Sequence, residues 1–268
     1  MRSPIPQRGR LKQSGICSDR MGKEKGQSRY ALYRLLHHAK EGTMEIFEAM
    51  ESRMSRRVFL RKEVDQTVLE KLLRSANRSP SYMNTQPWEV YAVAGQEKER
   101  LAKRLFSDIS SGVPLAPDLP FPVKWPLAHD ERAKRHRMGR FKALGIDPDK
   151  EQDKVIAGYR NNFKFFDAPC AIFVAIDKTL TPWSIFDCGA FVHGFLLAAH
   201  AEGLGGVPQA MPTGYSPAIR SHLNLSESLM IVVCISLGYP DLASPLNQYR
   251  SQRRELSGFV HWYGFTGK

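Results

Sequence analysis

Cysteine is scarce in this chain, and the four that occur (Cys17, Cys170, Cys188 and Cys234) form no C-x-x-C pair. Cys170 and Cys234 sit in apolar runs and Cys188 near the start of an apolar helix, which is the setting of buried free thiols in a reducing compartment. No apolar run reads as long enough to span a bilayer. The N-terminus has no apolar signal core either. Together these absences point to the cytoplasm. Internal repeats are missing, as are G-x-S-x-G, a Walker loop, H-E-x-x-H and paired carboxylates in an apolar setting. Hydrolase and kinase classes therefore lose weight.

Acidic residues are the minority, with 27 Asp and Glu against 39 Lys and Arg and a net charge of +12. Residues 1–43 alone carry ten basic and three acidic side chains, so this arm is far more basic, residue for residue, than the rest of the chain. From residue 44 on the balance is only 29 to 24, which argues against a basic nucleic-acid-binding body. Three readings of residues 1–43 stand: a disordered basic extension, a targeting arm, or upstream reading frame before a start at Met44. The chain as a whole is 42% hydrophobic and 25% charged, the composition of an ordinary globular protein.

Three stretches carry chemistry. In Arg53-Met54-Ser55-Arg56-Arg57, an extended backbone points Arg53, Ser55 and Arg57 to one side. Guanidinium forks and a hydroxyl suit a phosphate monoester, while a solvated basic run is the alternative. The stretch Arg78 to Trp88 joins a helix (Thr67 to Ala76) to a strand (Glu89 to Ala94). Pro80 and Pro87 stiffen it, and Ser81, Asn84 and Gln86 offer donors and acceptors that fit the edge of a flat heteroaromatic ligand. A surface turn is the competing reading. The glycine-rich link Gly203 to Ala210 lacks the strand-then-helix order of a dinucleotide fingerprint, so its glycines would instead admit backbone N–H groups close to a ligand ring.

The rest of the chain supplies a frame. Residues 107–158 are broken by Pro114, Pro117, Pro120, Pro122 and Pro126 and contain the basic helix Arg132 to Leu144, either a lid over a site or a surface insertion. Cys170 to Ile176 reads as a central strand, apolar on both faces, and Met230 to Leu237 as a second. Phe163, Phe165 and Phe166 are read as core before pocket lining. Ser184 to Glu202 is a helix apolar almost all round, closed by Gly203, and it needs burial in a core or a subunit interface. Its His193 and His200 have nothing nearby to complete a metal site. Arg250, Arg253 and Arg254 precede an aromatic tail that would dock on the body or a partner chain.

These motifs, in this order, resemble the FMN-dependent nitroreductase family, in its nitrobenzoate-reductase-like subgroup. The resemblance rests on Arg53-x-Ser55-x-Arg57, Pro80-Ser81-x-x-Asn84-x-Gln86-Pro87-Trp88, Gly203-Leu204-Gly205 leading to Pro208-Gln209, and Gly238-Tyr239-Pro240 followed by Arg250-x-x-Arg253. It covers about residues 44–265, and Arg160, Asn162 and the Phe-rich turn carry the subgroup likeness. Met54, Arg56, Glu63 and Ala210-Met211 depart from the family pattern, the last lacking a Glu-Gly pair of some members.

The resemblance implies an α+β fold with a mixed, mostly antiparallel sheet flanked by helices, in an intertwined homodimer. It implies FMN held by Arg53, Ser55, Arg57, Pro80, Ser81, Asn84, Gln86, Pro208, Gln209, Ala210, Arg250 and Arg253, with the Pro80–Asn84 loop serving the other subunit's flavin. NAD(P)H would reduce the flavin, and a small electron-poor acceptor such as a nitroaromatic or quinone would take its place in ping-pong order. Neither a catalytic side chain nor a metal is implied, nor a nucleic-acid or membrane partner. Reductive dehalogenation or flavin destruction on the same fold remains the alternative.

Overall fold

The computed structural model describes residues 44–266; the extension 1–43 and Cys17 lie outside the described residues. Its sheet has the order β1-β2-β4-β3, from β1 (Glu89–Ala94), β2 (Cys170–Asp177), β3 (Gly205–Gln209) and β4 (Leu229–Gly238). Every pairing among these strands is antiparallel. β2 and β4 are apolar on both faces because helices cover both sides of the sheet. Ile172, Val174 and Ile176 join Leu72, Trp88, Phe191 and Phe195 on one side. Phe173 and Ala171 join Leu101, Leu105, Phe163 and Ile219 on the other. The two-residue period of a strand makes that division.

β4 breaks its own period once. Val174 pairs with Val233 but Ala175 pairs with Ile231, so Val232 is an extra residue. The bulge restores the register of faces: Ile231 lands beside Cys234 in the second layer although the two are three apart.

The first layer holds α2 (Gln66–Ala76) and α6 (Pro182–Ala201). Pro182 opens α6 at a position where its missing N–H costs nothing, and Gly203, at φ 76°, closes the turn behind it. At 20 residues α6 is long and apolar enough to cross a membrane, contrary to the sequence reading. Here it packs on the sheet as a core helix, with Cys188, Phe191, Phe195 and Ala199 buried. The second layer holds α3 (Gly95–Ser110) and α7 (Ser216–Leu223). Cys170, Cys188 and Cys234 are free and buried.

Three shorter elements frame the site: α1 (Ile46–Ser52), α5 (Gln152–Arg160) and α8 (Pro245–Gln248). The proline-rich excursion divides into a pinned part and a covering part. Ala116 N–H donates to Gly214 O at 2.7 Å, Tyr215 Oη to Val113 O at 3.0 Å, and Arg220 pairs with Asp118 at 2.7 Å. Beyond it, α4 (Leu127–Ala143) buries none of its residues in the core and instead lies against Tyr249. Gly139 permits this, since a Cβ there would come within 2.6 Å of the Tyr249 ring.

Candidate anion and ring-binding site

Residues 53–60 form a strap across the sheet. Arg56 N–H donates to Gly206 O at 3.2 Å, Leu60 N–H donates to Tyr239 O at 2.8 Å, and Phe59 bridges Pro240. The strap is extended, so its side chains alternate. Arg56 turns toward β3, packing on Gly205 and donating to Asn247 O. Arg53, Ser55 and Arg57 turn the other way and line a cavity of about 360 Å³. Arg253 enters the same cavity from the C-terminal segment, with Arg132 and His136 from α4.

The cavity is electrostatically one-sided, with no carboxylate in its wall. Burial, and then Arg140, bring Arg57 down to about 10, with Tyr249 pulling weakly the other way. Burial followed by Arg253 lowers Arg53, and burial lowers Arg140. His136 is also pushed down, first by burial and then by Arg57, Arg140 and Arg253. The Nε atoms of Arg53 and Arg140 are buried without a hydrogen-bond partner. Buried guanidinium donors normally find acceptors, so the unpaired Arg53 Nε, among the described residues, is the unusual donor in this cavity wall.

Asn247 fixes the strap's geometry. Its Oδ1 accepts from Arg57 N at 2.8 Å and Val58 N at 3.3 Å, and its Nδ2 donates to Val58 O at 2.7 Å and Asp241 O at 2.8 Å. Nothing in the sequence flagged Asn247, since all but one of these partners are backbone groups nearly two hundred residues away. Arg140 and His136 were not singled out either, although the basic helix that carries them reads as a lid or a surface insertion. Arg250 stands one step off, donating to Glu51 O and lining an adjoining cavity of about 250 Å³.

The amide loop is anchored at both ends and exposed between. Tyr82 N–H donates to Asp187 Oδ2 at 3.1 Å, and Ser79 Oγ to Ala190 O at 3.3 Å. Trp88 stacks on Phe191 at 4.9 Å and donates to Asn77 at 2.9 Å. Between these anchors Met83, Asn84 and Gln86 hold φ of 51°, 58° and 46°. That left-handed backbone is costly for side-chain-bearing residues and often marks functional loops. Ser81 Oγ accepts from Gln86 N at 3.0 Å, and Asn84 and Gln86 face solvent; Pro80 is also exposed.

The third stretch divides by alternation. Pro208 and Ala210 are exposed, whereas Gln209 is buried, its amide held by Asn162 and Ser236. Any ligand contact by Gln209 is therefore through its backbone. The Phe-rich turn splits as well: Phe163 and Phe165 are core, but Phe166 lies 6.0 Å from the Arg57 guanidinium. Phe165, Phe166 and Asp167 make one left-handed turn, with φ from 54° to 56°.

The strap and the amide loop attach near opposite ends of α6. Tyr82 is tied to Asp187 near the start of α6, while Ser52, three residues before Ser55, contacts His200 at its end, at 2.7 Å. Thirteen residues of helix separate the anchors by roughly 20 Å.

An antiparallel sheet covered on both faces, an arginine strap and a strained amide loop define an α+β protein of the nitroreductase fold class. The chain belongs to the nitroreductase family, whose pattern it matches over residues 50–239. It is 32% identical to the nitrobenzene nitroreductase of Ectopseudomonas oleovorans over 222 residues, covering 80% of this chain and 95% of that one. It is equally similar, at 32%, to a 4-nitrobenzoate reductase of Pseudomonas putida, covering 80% and 93%. Among solved structures it superposes with a TM-score of 0.80 on the FMN and NADPH-dependent nitroreductase NfnB of sphigopyxis sp. strain HMH, at 25% identity over 83% of this chain and all of that one. The NADPH complex of the Mycobacterium smegmatis NfnB gives 0.76 at 26% identity, covering 82% and 100%.

Proposed function

We propose that this chain is an FMN-dependent oxidoreductase that uses NAD(P)H to reduce nitroaromatic or similarly electron-poor acceptors. The observation that carries the reading is the carboxylate-free cavity walled by Arg53 and Arg57, where Arg53 and the neighbouring Arg140 hold unpaired buried Nε atoms. The FMN phosphate fits that chemistry: Arg53, Ser55, Arg57 and Arg253 supply charge-assisted donors, with Arg250 beside them. The exposed Pro208 and Ala210 and the amides of Asn84 and Gln86 address the ring. When bound, the flavin takes a hydride from the nicotinamide and passes electrons to the acceptor. The chain's own part is to hold, orient and shield: α4 covers the phosphate end, and Phe166 flanks Arg57.

The site is completed by a second copy. The separation between strap and amide loop within one chain supports a homodimer in which each loop frames its partner's ring. The outward face of α6, with Trp183 and Phe186 exposed beside Tyr82, supplies an apolar surface for it. A cytoplasmic setting agrees with the three buried free thiols.

The test is direct. Purified protein should be yellow, bind about one FMN per chain and reduce nitrobenzene or 4-nitrobenzoate with NAD(P)H. Colourless protein that ignores added FMN would overturn the reading.

A further inference from the structure

β4 is apolar along its length apart from Ser236, which is fully buried. The Ser236 hydroxyl donates to Gln209 Oε1. Gln209, also buried, donates its Nε2 to Asn162 Oδ1 at 3.2 Å and to Asn162 O at 3.3 Å. The register explains the first contact: Ser236 pairs with Val207, so Gln209 is its diagonal neighbour on the same face of the sheet. Asn162 in turn donates to Tyr159 O at 2.8 Å. Packing alone does not call for this series of bonds. An apolar pair of the same shape would fill the space without desolvating an amide and a hydroxyl, whereas hydrogen bonds fix direction as well as contact.

The clamp bears on the segment next to it. β3 is an edge strand, held by ladder bonds to β4 on one side only. On its open side the strap reaches Gly206 O through Arg56 N–H at 3.2 Å, and Pro208 has no N–H to offer there. Just beyond, Ala210 O accepts from Thr213 N at 3.0 Å and Thr213 Oγ1 at 2.7 Å, which stiffens the following turn. The other end of the clamp is the turn Asn161–Asp167, whose Phe166 lies 6.0 Å from the Arg57 guanidinium. One buried amide thus joins the segment that carries the exposed Pro208 and Ala210 to the turn that flanks the strap.

We propose that Ser236, Gln209 and Asn162 are positioning residues: their clamp sets where Pro208 and Ala210 stand against the flavin ring, and with it the rate at which the ring accepts a hydride from NAD(P)H. The proposal rests on the flavin reading above. Hydride transfer is sensitive to placement, since a displacement of about 1 Å costs on the order of a hundredfold in rate. Flavin affinity depends instead on the arginines of the strap, which the clamp does not contain.

Gln209→Met keeps the side-chain length and removes both ends of the clamp. Ser236→Ala removes one bond only and serves where the first variant folds poorly. In the flavin-loaded protein each should slow flavin reduction in stopped flow, Gln209→Met by about 10- to 100-fold. FMN content per chain should stay close to the parent's, and flavin fluorescence should rise as water reaches the ring. Asn162→Asp, which keeps the Oδ1 acceptor, should retain the parent's rate and fluorescence, whereas Asn162→Ala should not. In the apoprotein, Gln209→Met should speed amide hydrogen exchange at residues 207–212 with β1 and β2 unchanged. Unchanged reduction and fluorescence in Gln209→Met would overturn the proposal. So would loss of FMN, equal losses in Asn162→Asp and Asn162→Ala, or exchange accelerated across the whole sheet, which would make the clamp a part of the core. If the parent holds no FMN, the flavin reading fails, and the exchange comparison alone decides whether the clamp holds this segment.

Discussion

Asn247 and Arg57 touch each other and should respond to substitution in opposite ways. Asn247 is fully buried and uses its amide on four backbone groups. Asn247→Leu would strand the two N–H groups and two carbonyls it serves. Stability should fall by about 2–4 kcal/mol in urea denaturation, and FMN affinity should fall with it as the strap loosens. Arg57→Ala removes a half-buried cation crowded by Arg140. FMN affinity should drop about 10- to 100-fold, while the apoprotein should be as stable as the parent or more so. A matching loss of apoprotein stability in both variants would show that Arg57 serves the fold and not the anion. His136 adds a pH dependence. Its folded-state pKa is depressed, so the unfolded chain takes up a proton near pH 6.5 while the folded chain does not. His200, lowered by burial and then by Arg56 and Arg53, acts in the same direction. Apoprotein melting temperature should therefore fall as pH drops below about 6.5, and His136→Gln should flatten that fall.

Elements were more legible than their joints. β1 begins and ends where apolar alternation places it, and β2 and β4 show by double-sided apolarity that they are central. The alternation of the strap likewise put Arg53, Ser55 and Arg57 on one side. Pattern reading fails where the determinant is a distant backbone group. Asn247, the Val232 bulge and the Asp118–Arg220 pair that pins the excursion have no local signature. It fails again at Phe165 to Asp167, a left-handed turn written without glycine. Asp187 did leave a trace, as the lone acid on an apolar helix, and its role is now specific. It is buried and accepts the Tyr82 N–H, holding the strained amide loop to α6. Asp187→Ala should speed amide hydrogen exchange across residues 81–86 and weaken flavin binding, with exchange in β2 and β4 unchanged. Exchange accelerated throughout the sheet would instead assign Asp187 to the core.

At the scale of the whole molecule, the roughly 20 Å along α6 between strap and amide loop is the decisive distance. On the proposed reading, a two-fold pairing would bring the strap of one chain beside the amide loop of the other. The aromatic cluster of Tyr82, Trp183 and Phe186 marks the surface where the copies would meet: ring centroids lie 6.2–6.4 Å apart, and Phe186 is 69% exposed. Phe186→Glu places a charge in that surface without touching any arginine of the strap. Light scattering should report a monomer, and the protein should lose flavin although both cavities remain chemically intact. Arg57→Ala should do the reverse, losing flavin while remaining dimeric. A Phe186→Glu variant that is monomeric yet keeps full flavin content would mean that the amide loop frames no partner's ring, and that one chain suffices to hold the cofactor.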